Sequence, residues 1–260
     1  MKPEWDLREI EGIVAKEKSE FEDLKKYIAK GFNLIEAKLY KEYRETFVKI
    51  PGTNFAMIKT EVTQKLYTSV MSSNPSYNEG DNNPVERVSW YDAIYFCNKL
   101  SEKLGLTSVY AVDGKTDVAT WNYTPHNGEL ISGELTQNTK ANGFRLPTEE
   151  EWEYAARGGQ NYTYSGSDNL DEVGWYNRNS RNKTHPVAQK KANGYGLYDM
   201  SGNVWEWCWD VDPSRSDYRY YRGGGCYDHG RYCDVDSRNN SYARDQHIDL
   251  GFRVVCSASN

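Results

Sequence analysis

From Gly202 the chain reads Gly-Asn-Val-Trp-Glu-Trp-Cys-Trp-Asp, and tryptophan at every second position leaves this stretch little structural freedom. Successive side chains of a strand point to opposite faces, so Trp205, Trp207 and Trp209 share one face while Val204, Glu206 and Cys208 share the other. Three large aromatics on one face call for burial, which predicts a central core strand. The chain closes on Gly251-Phe252-Arg253-Val254-Val255, read as a second short strand.

Other local signals surround this strand. Phe47 to Ile50 and Phe55 to Ile58 are short apolar runs bounded by turn residues, hence strands. Ser89 with Asp92, and Thr148 with Glu151, are capping boxes that open helices ended by Gly105 and by Gly158-Gly159. Residues 106–142 carry turn formers and read as a surface hairpin. Residues 1–45 differ: Leu7, Ile10, Val14, Phe21, Leu24, Ile28 and Ile35 recur three or four apart, which predicts an amphipathic helical segment, packed on the domain or serving as a stalk. The fold class is therefore α+β and loop-rich, with a helical segment at 1–45 and one domain over 46–260.

Composition narrows the function classes. With 38% apolar residues, a mean hydropathy of -0.86 and no apolar run near ~18 residues, a membrane span is not expected. Thirty-two basic against 38 acidic side chains leave a net charge of -6, so nucleic acid and anionic membranes are excluded as primary partners. Cys97, Cys208, Cys226, Cys233 and Cys256 are odd in number and lack C-x2-C spacing, which signals neither a disulfide framework nor a zinc ribbon. Met1 to Asp6 lacks a signal-peptide pattern, leaving a cytosolic protein or one whose export signal is already removed.

Five ordered motifs carry a family resemblance: Phe144 to Glu153, Gly194 to Met200, Gly202 to Trp207, Arg222-Gly223-Gly224 and Gly251-Phe252-Arg253. Together they resemble the formylglycine-generating-enzyme (sulfatase-modifying factor) type of C-type lectin fold, over roughly Phe47 to Val255. That resemblance implies an oxidase that binds copper through two cysteines. Counted from Gly224, the second falls on Cys233, but the first falls on Asp228, with Cys226 two residues out of register. Soft thiolates must converge on Cu(I), so the oxidase is the alternative reading and not the main one. His126, His185, His229 and His247 likewise lack the clustering that the related iron-dependent sulfoxide synthases need. The resemblance also implies a structural calcium at Asp199, Gly202, Val204 and Glu206, although the two carboxylates there could equally pair with Arg145 or Arg253.

The end of the chain is compositionally odd. Lys, Glu, Met and Trp make up 51 of 260 residues, yet none follows Trp209, where an even spread would put about ten. Codons for these four end in a purine, so none can arise from AAC or AAT by changes at the first two bases. From Gly225 to Asp249, 24 of 25 residues can arise that way, Gln246 being the exception. This resembles the variable region of diversity-generating retroelement targets, the variable-protein family known from Treponema, whose members are implied to be ligand-binding, cell-surface and commonly lipid-anchored. A loop-rich polar surface would also be rich in Asn, Ser, Asp and Gly, but would not lack Lys and Glu.

On that reading the variable region spans about 218–255 and needs no cofactor. Its ligand-binding residues are Cys226, Tyr227, Asp228, His229, Tyr232, Asp234, Asp236, Ser237, Asn239, Ser241, Tyr242, His247 and Asp249, with Cys233, Val235 and Arg238 as framework. Tyrosines serve as rigid amphipathic anchors and Ser, Asn and Asp as adaptable polar contacts. The partner is an unidentified ligand, a protein or another surface molecule, and any membrane association is through a lipid anchor outside this sequence.

Overall fold

The computed structural model describes residues 46–257. The helical segment read at 1–45 lies outside the described residues. Strands β1 (Phe47–Lys49) and β2 (Phe55–Ile58) form an antiparallel hairpin around a turn that places Gly52 at φ +76°. Helix α1 (Gln64–Met71) follows, capped by Thr63 Oγ1, which accepts from Leu66 N at 3.2 Å. Helix α2 (Trp90–Lys103) opens on the expected capping box: Ser89 Oγ accepts from Asp92 N, and Asp92 accepts from Ser89 N. Gly105, at φ +66°, lies just beyond its end.

Strands β3 (Tyr110–Val112) and β4 (Leu135–Gln137) pair as the hairpin read at 106–142. It is more than surface, because Tyr110 and Trp121 are buried under it. After β5 (Phe144–Arg145) comes α3 (Glu149–Arg157), with Thr148 and Glu151 as its capping box and Gly158 as its left-handed stop. A four-residue helix, α4 (Leu170–Val173), leads into the long loop before the tryptophan strand.

That strand, β6 (Trp205–Asp212), pairs antiparallel with β7 (Arg215–Arg222), which pairs with β8 (Arg238–Tyr242); β9 (Leu250–Gly251) runs parallel to β6 on its other side. The sheet order is β8-β7-β6-β9. A second sheet, β1-β2-β10-β5, uses the last strand, β10 (Val255–Ser257). The stretch read as one terminal strand is thus two: residues 252–254 carry the chain from one sheet to the other, with Phe252 and Val254 carbonyls accepting from Val62 and Ile58.

Both faces of β6 are interior from Trp205 to Cys208. Trp205 and Trp207 are buried on one, Val204, Glu206 and Cys208 on the other. Trp209 is only half-buried, because the strand is leaving the core there, and it stacks between Trp90 and Tyr110. The main core joins Ile50, Met57, Trp152, Met200, Cys208 and Val255, and Val235 of the C-terminal segment reaches into it.

Candidate ligand-binding surface

The segment from Gly223 to Asp249 leaves β7 through two glycines that a side chain could not replace. Gly224 sits at φ +77°, and a Cβ there would meet Cys233 Sγ at 2.7 Å. Beyond it, the framework holds the segment chiefly by main-chain atoms. Cys226 N donates to Asn203 O (2.9 Å), and its carbonyl accepts from Ser180 Oγ (2.6 Å). Asp228 O accepts from Asn177 N, Cys233 O from Ser201 Oγ and His247 O from Arg87 N, while Val235 N donates to Thr163 O. Arg222, buried and stacked over Trp152, donates to the carbonyls of Asp236 (2.9 Å) and Ser237 (2.8 Å) and to Glu153. These bonds do not depend on which side chains the segment carries.

Of the expected contact residues, His229, Tyr232, Asp236, Asn239, Tyr242 and His247 are exposed, and Tyr227, Asp228, Asp234, Ser237, Ser241 and Asp249 are half-buried. Cys226 is a correction: its side chain is fully buried, because the backbone bonds to Asn203 and Ser180 pull this residue inward. Cys233 and Val235 are buried as framework, whereas Arg238 is exposed and pairs with Glu149 on α3.

The structure does not gather the whole set on one face. In the β7–β8 register, Ser241 and Asn239 lie opposite Arg219 and Tyr221, which cover Trp90 and the Trp205–Trp207 pair. Tyr242 lies opposite Tyr218, on the other side of the ribbon, with ring centroids 4.3 Å apart. Strand alternation imposes this division. Asp228 and Asp249 do come together beside Trp205 and Tyr221. Asp228 Oδ2 accepts from Trp205 Nε1 at 2.6 Å and from Gly225 N at 3.0 Å. Burial, and then the neighbouring Asp228 carboxylate, push Asp249 up to about 6. Asp236 is bound to Arg157 of α3, and Ser237 Oγ donates to Arg231 O.

Sequence reasoning missed the role of Arg222, although it stands in the Arg222-Gly223-Gly224 motif; a buried guanidinium at the mouth of a double-glycine turn is the signal. Of the two arginines offered as partners for Glu206 it is Arg253 that binds it, Nε and Nη2 each donating to one of its oxygens at 2.6 Å, while Trp152 Nε1, which the sequence did not suggest, donates to one of them at 2.6 Å. Arg145 pairs instead with Glu151.

Neither implied metal fits. Calcium at Asp199, Gly202, Val204 and Glu206 would need Glu206 oxygens that Arg253 and Trp152 already occupy. Asp199 offers one buried oxygen without a partner, the other accepting from Ala188 N. Within that set of four, one free carboxylate oxygen falls short of six to eight hard ligands, and even with the two buried, unpartnered oxygens of neighbouring Glu61 the free carboxylate oxygens number three. The excess negative charge is met differently, since burial and the nearby Asp199 and Glu206 push the Glu61 carboxyl well above the usual range, toward its neutral form. For copper, Asp228 stands where the first thiol is needed and is tied to Trp205. Burial raises the Cys226 and Cys233 thiols, which opposes the thiolate form that Cu(I) requires.

A family model, the sulfatase-modifying factor enzyme 1-like domain, matches residues 22–258, starting inside the segment that the motif resemblance leaves out. Chaperone protein LppX of Paenibacillus barcinonensis is 40% identical over 86% of this chain and 88% of its own length. The formylglycine-generating enzyme of Streptomyces coelicolor is 36% identical over 45% of this chain, which spans about half, 48%, of that enzyme. Among solved structures, Treponema denticola variable protein 1 superposes with a TM-score of 0.69 at 35% identity, covering 82% of this chain and 91% of that one. The architecture is therefore the C-type lectin fold of formylglycine-generating type, and the chain belongs to the sulfatase-modifying factor enzyme 1-like domain family.

Proposed function

We propose that this chain is a non-enzymatic ligand-binding protein whose segment from about 218 to 255 is a hypervariable surface diversified by a retroelement. The observation that carries the reading is the way the segment is held. Framework groups bond its carbonyls and amides, so side chains at Tyr227, His229, Tyr232, Asn239, Tyr242 and His247 can change without undoing those bonds. The missing Lys, Glu, Met and Trp agree with adenine-directed mutation of AAC and AAT codons. Similarity to a protein named a variable protein supports the same reading. So does similarity to one named a chaperone, since a chaperone works by binding.

On this reading the protein needs no cofactor, is displayed at the cell surface, and meets a protein or another surface molecule, not nucleic acid. Buried thiols and the carboxylate at Asp228 support binding over oxidation. The test is genetic and chemical together. Gene sequences from related strains are expected to differ at first and second positions of AAC- or AAT-derived codons within the segment, beside a reverse-transcriptase gene and a template repeat. Differences scattered along the gene, or copper-dependent turnover of a sulfatase-type cysteine peptide, would overturn the proposal.

A further inference from the structure

Tyr221 is only 9% exposed, and its ring meets Trp205 and Trp207 edge-on at 5.1 and 5.3 Å, yet its hydroxyl makes no hydrogen bond among the described residues. What the hydroxyl faces is acid. Burial, and then the carboxylates of Asp249, Asp228 and Asp245, push the phenol up to about 12. The three aspartates arrive from separate turns of the segment. Asp228 is fastened at Oδ2 by Trp205 Nε1 and Gly225 N, which leaves Oδ1 open. Asp249 lies against Gly225, where a Cβ would meet its Oδ2 at 2.6 Å, and takes no donor from a described side chain. Asp245 accepts from Ser241 Oγ at Oδ2 and keeps Oδ1 open. Little opposes this charge. No guanidinium or ammonium among the described residues is close enough to lower Tyr221, Asp228 or Asp249. Arg219, on the same face of β7 as Tyr221, covers Trp90 and donates to the carbonyls of Ser216 and Tyr218. Arg244 covers Tyr242, Arg87 offsets the buried Glu86 carboxyl, and Arg178 turns to Tyr176. His247 Nε2 lies 4.0 Å from Asp245 Oδ2 and is charged only when protonated.

We infer that this acidic patch around the Tyr221 hydroxyl takes a basic side chain, lysine or arginine, of a protein ligand. The inference rests on the binding reading above and names its ligand chemistry. Half-buried carboxylates are costly without a counter-charge, and an ammonium or guanidinium donates charge-assisted hydrogen bonds to several of them at once. Tyr221 Oη adds a neutral acceptor, and Tyr227, half-buried near Asp249, offers apolar surface to the methylene stem. A metal ion fits less well, because no three acidic, histidine or cysteine side chains among the described residues converge at metal-binding distance. An organic cation with several donors spans such gaps. The patch also divides its labour. Asp228 is fixed by Trp205, whereas Asp245 and Asp249 differ from Asn, the unaltered product of AAC and AAT, by one first-base change, so the segment can raise or lower its preference for a basic ligand.

NMR titration of the full chain with Nα-acetyl-lysine amide, Nα-acetyl-arginine amide and neutral Nα-acetyl-norleucine amide tests this, with the Trp205 indole N–H as reporter because it donates to Asp228. Saturable millimolar binding of at least one basic probe is expected, weakening with added salt, and the neutral probe should bind much more weakly; the two basic arms tell lysine from arginine. Asp249→Asn is expected to weaken binding about tenfold, since hydrogen bonds to a charged group are lost. Tyr221→Phe, which keeps the ring on Trp205 and Trp207, should weaken it a few-fold and decides the matter if Asp249→Asn does not fold. Acidification from about pH 7 to about pH 5 is expected to release the probe as Asp249 takes up its proton near 6, and protonation of His247 acts in the same direction. Equal binding of the neutral probe, no binding of either basic one, indifference to Asp249→Asn in a folded protein, or calcium ion occupying the patch in preference to the basic probes would overturn the inference. None of these results bears on codon variation, so the variable-surface reading stands or falls separately.

Discussion

Strand β6 and the segment that begins at Gly223 lie side by side but are built on opposite rules. In β6, side chains make the structure: Glu206 holds Arg253 and Trp152, Trp207 Nε1 donates to Val88 O at 3.0 Å, and both faces are interior as far as Cys208. In the segment, main-chain bonds do most of the fastening, and side chains fasten it at a few positions only, chiefly buried Cys226, Cys233 and Val235 and the carboxylate of Asp228. The contrast separates two jobs that a single loop cannot easily do together. A position fastened by its side chain cannot vary; a position fastened by its carbonyl can.

The contrast breaks first, and hardest, in β6. Replacing Glu206 by Ala strands the buried Arg253 guanidinium, a loss of about 3–5 kcal/mol in denaturant unfolding. Trp207→Ala, which opens a cavity and abandons a hydrogen bond, belongs to the same range of about 3–5 kcal/mol. A cost below about 1 kcal/mol for both would place β6 among ordinary surface strands. Arg222→Met comes next. It removes the clamp on Asp236 and Ser237 while keeping the bulk over Trp152, at about 2–3 kcal/mol. Hydrogen exchange should then quicken around residues 235–237 more than in β6, and uniform quickening would deny Arg222 its local role.

Much of β6's side of the comparison was legible in the sequence because its causes are local. Both capping boxes form as read, and the tryptophan alternation finds its strand. The pairing of Glu206 with Arg253 instead of Arg145 depends on residues brought together from far along the chain, so it was open. Strands β7 and β8 went unread for a physical reason: Arg and Tyr are amphipathic, and a run such as Arg219-Tyr220-Tyr221-Arg222 carries no clear inside. Pairing decides it, burying Tyr221 and Arg222 and leaving Tyr242 out. Helix α1 was missed because Thr63 caps it without an acidic partner three residues on, and because buried Gln64 looks polar in sequence. Gln64 is spent on the loop that follows, bonding Asn74, Gly80 and Asn78. The inward turn of Cys226 needed Asn203 and Ser180 and could not be read from its neighbours.

A smaller effect sharpens the comparison through pH. Asp249 in the segment is raised to about 6 by burial and by Asp228, and Glu86 in the framework to about 7 by burial. A carboxyl whose folded value exceeds its unfolded one binds its proton more tightly in the native state, so its contribution is full at acid pH and is lost as pH rises through the folded value. Stability is therefore expected to fall between about pH 4 and pH 7, first through Asp249 and then through Glu86. Asp249→Asn should flatten the lower part of that slope, by on the order of 1 kcal/mol after solvent screening, and leave the upper part in place. A slope unchanged in the variant would mean that the native fold does not hold Asp249 in its protonated form.

The most exacting test asks for three simultaneous changes to do little, each less than a single change in β6. In the combined variant Tyr227→Ser, Tyr242→Asp and His247→Asn, none of the main-chain bonds at Asp228, Ala243 or His247 loses a partner, since each runs through backbone atoms. His247 is exposed and Tyr227 half-buried, so exchanges at these two belong near the surface range of about ±0.5 kcal/mol. Tyr242 is the costliest of the three, because its ring packs on Tyr218, a pairing worth about 0.5–1.5 kcal/mol. The triple variant should thus unfold cooperatively, with an unchanged denaturant slope and a total loss below about 2 kcal/mol, nearly all of it recoverable by restoring Tyr242 alone. If the loss instead spreads over all three positions and reaches the range of Trp207→Ala, the segment's side chains are holding the fold as those of β6 do, and the division between backbone-held and side-chain-held structure fails.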